Sequence, residues 1–326
     1  ESLYFSSSFL QTDSYFDSPQ NFNRTNLFSK YTLYNETSKL SFSVFHFDSK
    51  WNASGQIPQR AVDQGIIGRF GAIDDTEGGN TSRSIVNMKH EKQLSENSSL
   101  TTNAYVSLYD FELYSNFTFF LEDPINGDQI RQKEKRTTFG LNSEFEKRTS
   151  IKNTPFNYQL GIGLRQDKVD DIELSHTANR VTTLENIMLG DINESNLSGY
   201  GNTEFKFNKL IVNAGMRYDY FKFDYYDKLS PTYSNKAVNK GILSPKLNFL
   251  YQYNNKLQLF LKSGKGFHSN DTRVNVTNDG RKTLPASYGS DLGFIWKPTP
   301  KLIFNSAVWY LFLEQEFVYV GDSGIV

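Results

Sequence analysis

From Ser244 to His268 the chain reads as two long arms with alternating side chains, a pattern that no helix accommodates. On the first arm Leu247, Phe249, Tyr251 and Tyr253 share one face, with Lys246, Asn248 and Gln252 on the other. On the second, Leu257, Leu259 and Leu261 oppose Gln258 and Lys262. A repeat of two residues belongs to a strand. Facing residues of an antiparallel ladder point to the same side, so the pattern also sets a register. A turn at Asn254-Asn255 would place Tyr251 against Gln258 and mix the faces. A three-residue loop, Asn254 to Lys256, pairs Tyr253 with Leu257, Tyr251 with Leu259, Phe249 with Leu261 and Asn248 with Lys262, and is the expected geometry.

Each arm runs for about a dozen residues, whereas strands of soluble domains average about 5–6. A strand that crosses a bilayer at a tilt needs about 9–11 residues, alternates apolar with polar, and meets its neighbours through short turns on one side and longer loops on the other. The hairpin meets each condition. No apolar run is long enough for a transmembrane helix, and the mean hydropathy is −0.55, but barrel strands escape hydropathy averaging because every second residue is polar.

Composition agrees. Aromatics make up 15% of the 326 residues, with 27 Phe and 19 Tyr, more than an average globular domain carries, and 9 Pro interrupt few strands. A net charge of −1 with 22% charged residues gives no sign of a nucleic-acid surface. Cysteine is absent, which removes disulfides and thiolate metal sites. No helix is expected. The first residues, Glu1-Ser2-Leu3-Tyr4-Phe5-Ser6, are already strand-like and carry no leader sequence, and the chain stops abruptly at Val326, so it is expected to be an internal piece of a longer protein.

Read in order, strands are expected near 1–12, 22–34, 38–48, 81–93, 99–120, 132–147, 156–165, 196–208, 210–225, 284–296 and 302–320, with the opening hairpin between the last four. That makes roughly thirteen. Short turns near 35–38, 95–98, 208–209, 254–256 and 297–300 should occupy one rim. Loops at 49–80, 122–132, 167–193, 226–240 and 269–283 should occupy the other. A soluble β-sandwich alternates too. Against it stand the length of the strands and the charges on the polar face, Glu144, Glu146, Arg165, Arg217, Asp219 and Lys262, which suit a wet lumen, where Arg217 and Asp219 could pair. The expected class is all-β, a membrane-spanning antiparallel β-barrel.

The segments Ser244-Pro245-Lys246-Leu247-Asn248, Gly264-Lys265-Gly266-Phe267-His268, Trp51-Asn52-Ala53-Ser54-Gly55-Gln56-Ile57-Pro58, Phe16-Asp17-Ser18-Pro19-Gln20-Asn21-Phe22 and Phe70-Gly71-Ala72-Ile73-Asp74 resemble TonB-dependent outer-membrane receptors, particularly those of Bacteroidetes-type bacteria. The resemblance covers nearly the whole chain. It implies a barrel of about 22 strands closed by an N-terminal plug, residence in the outer-membrane lipid, and uptake of a small-molecule nutrient driven by the periplasmic TonB–ExbB–ExbD complex acting on the plug. Residues 1–326 would then be a partial barrel domain, with the plug, the TonB box and the C-terminal strand outside it. The first cargo expected from the family is an iron–siderophore complex, with cobalamin or glycan and peptide fragments as rivals. A passive porin and a soluble or surface carbohydrate-binding β-protein are the alternatives.

No catalytic set is present, and no cofactor or metal is expected. Gly264-Lys265-Gly266 lies in a strand pattern with no helix after it, so it is no phosphate loop. Asp74-Asp75-Thr76-Glu77 resembles a hard-cation site but lacks EF-hand spacing. The Asn-x-Ser/Thr sequons at Asn35, Asn52, Asn97, Asn116 and Asn275 are chance products of the composition. His46, His90 and His176 are expected to be lumen or loop histidines with ordinary hydrogen bonds, and His268, beside Asn270, Asp271 and Arg273, is the favoured one for a ligand. The segment 51–80 exceeds what a connection needs. Its Trp51, Arg60, Arg69, Phe70, Asp74 and Glu77, with His268 and Arg273, are the expected ligand-binding residues.

Overall fold

The computed structural model describes residues 1–230, 235–269, 272–277 and 282–315. They form one antiparallel sheet of thirteen strands in sequence order, each paired with its neighbours in the chain. The first half comprises β1 (Ser2–Thr12), β2 (Phe22–Tyr34), β3 (Ser38–Ala53), β4 (Glu77–Ser95), β5 (Ser98–Ser115) and β6 (Ile130–Ile151). The second comprises β7 (Thr154–Ala178), β8 (Thr182–Phe207), β9 (Leu210–Asp227), β10 (Asn235–Asn254), β11 (Leu257–Phe267), β12 (Ala286–Thr299) and β13 (Leu302–Leu313). Two short helices, α1 (Gln59–Asp63) and α2 (Thr272–Thr277), are exceptions to the expected lack of helix. Neither is long and apolar enough to cross a membrane.

Because every connection is a hairpin, those leaving β1, β3, β5, β7, β9 and β11 share one rim, and those leaving the even strands share the other. The expected division of turns from loops holds.

The ladders show which face meets lipid. Leu141, Leu164, Leu197 and Tyr220 lie opposite one another on four consecutive strands. Ile162 is 65% exposed and Leu197 59%, whereas Asp167 and Asp219 on the other face are 3% and 1% exposed. Exposed leucine beside buried aspartate inverts the soluble arrangement and fits a wall with hydrocarbon outside and a polar lumen within. Near the short-turn rim the outer face carries an aromatic belt. Ring centroids lie 6.1 Å apart for Phe145 and Tyr158, 5.6 Å for Tyr158 and Phe156, and 4.5 Å for Phe156 and Phe205. Trp296 and Phe304 continue it at 5.5 Å. Such rings mark the membrane interface.

On the lumen face, tyrosines lie across facing glycines. A Cβ at Gly161 would stand 2.2 Å from the Tyr200 ring, and one at Gly140 equally close to that of Tyr105. Oppositely charged neighbours pair along the same strand, two residues apart: Arg165 with Asp167, Arg217 with Asp219, Glu134 with Arg136, Glu204 with Lys206 and Lys89 with Glu91. The expected pairing of Arg217 with Asp219 is thus present.

Several expectations need correction. The hairpin arms pair as expected at Asn248 with Lys262, Phe249 with Leu261 and Tyr251 with Leu259, but Leu257 faces Asn254, and the register shifts between Gln252 and Asn254. Tyr253 is bulged and the turn is Asn255-Lys256. The cause is the Asn254 side chain, whose Oδ1 accepts from the amides of Lys256 (2.8 Å) and Leu257 (3.0 Å), which shortens the loop by one residue. We expect Asn254→Ala to cost about 1 kcal/mol in urea unfolding of the bilayer-inserted barrel.

The polar stretch 167–193 is strand rather than loop, because β7 and β8 continue the ladder to a tip at Asn179–Val181. Alternation ceases there because a wall that rises above the lipid no longer needs an apolar face. The loop 226–240 shrinks for the same reason, since β9 reaches Asp227 and β10 starts at Asn235. Lys152 and Asn153, with φ of 48° and 65°, form a turn absent from the expected set. β5 ends at Ser115 rather than 120, and the final strand is described to Leu313; its expected continuation past 315 lies outside the described residues, as do Asn270 and Asp271.

Candidate ligand-binding site

Two polar constellations stand at the long-loop end. The first fastens the loop between β3 and β4 to the wall. Arg180, at the tip of β7 and β8, donates from Nε to the Thr76 carbonyl, from Nη2 to the Glu77 carbonyl and from Nη1 to Asn52 Oδ1 (3.1 Å). Its guanidinium lies 5.6 Å from the Tyr114 ring centroid. Asp74 accepts from the Thr76 amide (2.9 Å), from Asn116 Nδ2 (3.0 Å) and from Gln129 Nε2 (3.1 Å). Burial works to raise the Asp74 carboxyl, but the hydrogen bonds from Thr76, Asn116 and Gln129 outweigh it and hold the group below the usual carboxylate range. Glu77 has the opposite fate. It is 5% exposed, its Oε1 has no hydrogen-bond partner, and burial, assisted by the charge of Asp74, pushes its pKa up to about 7 against the Asn116 amide and Arg180.

The second constellation lines a cavity of about 540 Å³ on the lumen face of β6 to β9, beneath α2. Arg165 donates from Nε and Nη2 to the two oxygens of Asp167 at 2.6 and 2.9 Å, and Arg217 does the same to Asp219 at 2.7 and 2.8 Å. Thr138 Oγ1 and Asn196 Nδ2 also donate to these aspartates, at 2.8 and 3.3 Å. Arg136 is held by Glu134, and Glu194 accepts from Thr272 Oγ1 of α2 at 3.1 Å. The arrangement follows from strand periodicity, because residues i and i+2 share a face, so an Arg-x-Asp triplet folds into a flat bidentate fork. The aspartates are buried, whereas the side chains of Arg165 and Arg217 are 53% and 43% exposed. What meets the lumen is therefore guanidinium edge with its remaining N–H donors fixed in place, suited to ligands rich in hydrogen-bond acceptors.

A wall with its apolar face outward and its polar face inward is that of a membrane β-barrel, and the sequence profile described as "TonB dependent receptor-like, beta-barrel" matches residues 9–325. The chain belongs to the TonB-dependent receptor family. Among solved structures it resembles the siderophore receptor PiuA from Acinetobacter baumannii, with a TM-score of 0.74 at 10% identity over 94% of this chain and 52% of that one. The ferric citrate transporter FecA in its unliganded form gives a TM-score of 0.73 at 12% identity over 85% and 41%. The copper transporter OprC gives 0.66 at 12% over 91% and 47%. At such identities the likeness is one of fold, and the chain spans about half the length of the structures it matches. The search of curated proteins found no match. The family places this barrel in the outer membrane.

In this TonB-dependent receptor barrel the expected ligand-binding residues do not converge. Asp74 and Glu77 are absorbed in the loop fastening. Phe70 packs edge-on against Phe16 at 6.4 Å, and its carbonyl accepts from the Asp17 amide, tying two outer loops together. Trp51 is half-buried opposite Gly79, and Arg60 and Arg69 are exposed. His268 is exposed at the rim, where its amide donates to Pro285. Only Arg273, from α2, reaches the lumen cavity. His46 faces outward and bonds Ser84 Oγ at 2.9 Å, and His176 Nε2 meets the Gly127 carbonyl at 2.7 Å. Sequence reading overlooked Arg136, Asp167 and Glu194. The available signal was the spacing Arg165-Gln166-Asp167, which repeats that of Arg217-Tyr218-Asp219.

Proposed function

We propose that the full protein is an active-transport receptor for a scarce nutrient, an iron–siderophore complex, energised through a plug domain by the TonB–ExbB–ExbD complex. The observation that carries this reading is the lumen cavity beneath α2, where the Arg165 and Arg217 forks present fixed donors to the solvent side. Ferric complexes offer clustered oxygen acceptors, which such donors match. Solved structures of similar fold include a ferric citrate transporter, a ferric-catecholate import receptor and a ferric yersiniabactin uptake receptor, which supports iron cargo. In this reading the exposed Arg60 and Arg69 of the outer loop make the first contact, and Arg273 with the forks forms the inner contact.

The test uses the full-length receptor with Arg165→Gln and Asp167→Asn together, which removes a fork without stranding a buried charge. Binding of ferric citrate, ferric catecholates, cobalamin and oligosaccharides is measured by calorimetry and uptake by radiolabel. A charged hydrogen bond is worth about 1.5–3 kcal/mol, so affinity for the true cargo should fall roughly 10- to 100-fold. Unchanged binding across the panel would remove the cavity from recognition, and uptake independent of the proton-motive force would favour a passive porin.

A further inference from the structure

The lumen wall is not uniform along the sheet. Val44, Val86, Val106 and Phe139 face one another across β3 to β6 and are exposed on the outward side, so the residues that alternate with them line the lumen. On β6, β7 and β9 the lumen arginines Arg136, Arg165 and Arg217 each hold a carboxylate. The other side of the wall differs. Between Phe22 and Lys30 on β2, and level with them on β3 to β5, the lumen positions carry Arg24, Arg83 and several aromatic rings, and no acid. Among the described residues neither arginine has a carboxylate within ion-pair distance, and the Nε of Arg24 is buried without a hydrogen-bond partner.

Arg83 and Arg136 flank Tyr109 on the two neighbouring strands. A groove of about 390 Å³ opens between them, floored by Ile85, Tyr105, Ser107 and Tyr109. The Arg83 guanidinium lies over the Tyr109 ring, 4.6 Å from its centroid, and the Phe111 ring lies beside that of Tyr109 at 6.2 Å and 12°. A guanidinium held flat on a ring keeps its N–H edge and its outer face for a ligand. Arg136 is steadied by Glu134 and stands 3.6 Å from Asp167. Strands lie about 4.8 Å apart, so the backbones of β4 and β6 are about 10 Å apart, a span that one aromatic ring and its charged group can bridge.

We propose that this groove is a second subsite of the lumen and takes an aromatic carboxylate, with its ring against the tyrosine floor and its carboxylate between Arg83 and Arg136. Charge and shape specify the occupant together. A neutral ring would leave Arg83 without a partner, and an inorganic anion would leave the apolar floor uncovered. Arg136 and Arg165 line both this groove and the cavity beneath α2, so one ligand can touch both. The inference rests on the lumen being the ligand's route, as proposed above, and not on iron as the cargo.

The experiment titrates the full-length receptor, free of iron, with benzoate, cyclohexanecarboxylate and inorganic phosphate, followed by saturation-transfer and phosphorus NMR. Benzoate should bind, and the other two more weakly, because neither combines the charge with a flat ring. Loss of a charged hydrogen bond should make Arg83→Gln bind benzoate roughly 10- to 100-fold more weakly. Arg83→Lys, which keeps the charge and loses the planar fork, should bind it more weakly as well. Arg217→Gln with Asp219→Asn alters the first cavity alone and should leave benzoate affinity unchanged. Thermal midpoints report that each variant is folded. Absence of benzoate binding, equal affinity in the wild type and either Arg83 variant, equal affinity for the three probes, or loss of benzoate binding in the Arg217 and Asp219 variant would overturn the assignment. Failure of the iron-cargo reading would show in the ferric panel and leave these titrations unaltered.

Discussion

Ile162→Arg is expected to destabilise the inserted barrel by about 2–4 kcal/mol, among the largest single-residue effects this wall can show. Ile162 lies between Leu160 and Leu164 on the outward row of β7, above the Phe156–Tyr158 aromatics and below Gln166, the first polar residue of that row. Arginine there must either enter hydrocarbon or stretch to a distant interface. The same substitution at Gln166 should cost only about 0–1 kcal/mol, because the penalty falls steeply toward the interface. Reversible urea unfolding in phospholipid vesicles measures both. Equal costs at the two positions would mean that the outward row has been assigned to the wrong side of the wall.

The second large effect concerns the fastening of the β3–β4 loop. Arg180→Ala strips donors from the carbonyls of Thr76 and Glu77 and from Asn52, and removes the cation beside the buried Glu77. Each stranded buried partner costs about 1–3 kcal/mol, so closure of the loop should weaken by several kcal/mol. Hydrogen exchange across residues 54–76 should rise accordingly. Glu77 adds a pH dependence whose sign is fixed. Its carboxyl is raised from an ordinary value of 4.5 to about 7 when the loop is closed, so between those values the closed form holds a proton that the open form has lost. The Glu77 contribution to closure is therefore full below about pH 4.5, weakens as pH rises toward 7, and is lost above it, with an amplitude on the order of 3 kcal/mol. Glu77→Gln should flatten the profile. An unaltered profile in that variant would assign the pH response to another group.

Sequence periodicity carried the wall and lost its force where the wall leaves the membrane. The arms around Phe249 and Leu259 were legible because lipid on one side and water on the other force alternation. Between Asp167 and Asn193 water lies on both sides, the chain is free to be polar throughout, and strand reads as loop. The site was harder for a different reason. Asp74 in a long loop looks the same whether it awaits a ligand or is already satisfied, and its partners Asn116 and Gln129 lie 42 and 55 residues away. The Arg165–Asp167 fork, by contrast, is local, and its spacing alone suffices to find it.

That locality bears on how the barrel is assembled. A lumen charge whose partner sits on the neighbouring strand stays uncompensated until that strand arrives. Here Arg165, Arg217, Lys206 and Lys89 each meet their carboxylates two residues along their own strand. These four can therefore enter the membrane already paired, whereas Arg131 and Lys39 wait for Glu173 and Glu91 on the next strand. For the pairs within one strand, charge compensation precedes strand pairing, which frees their insertion from the order in which the sheet is closed.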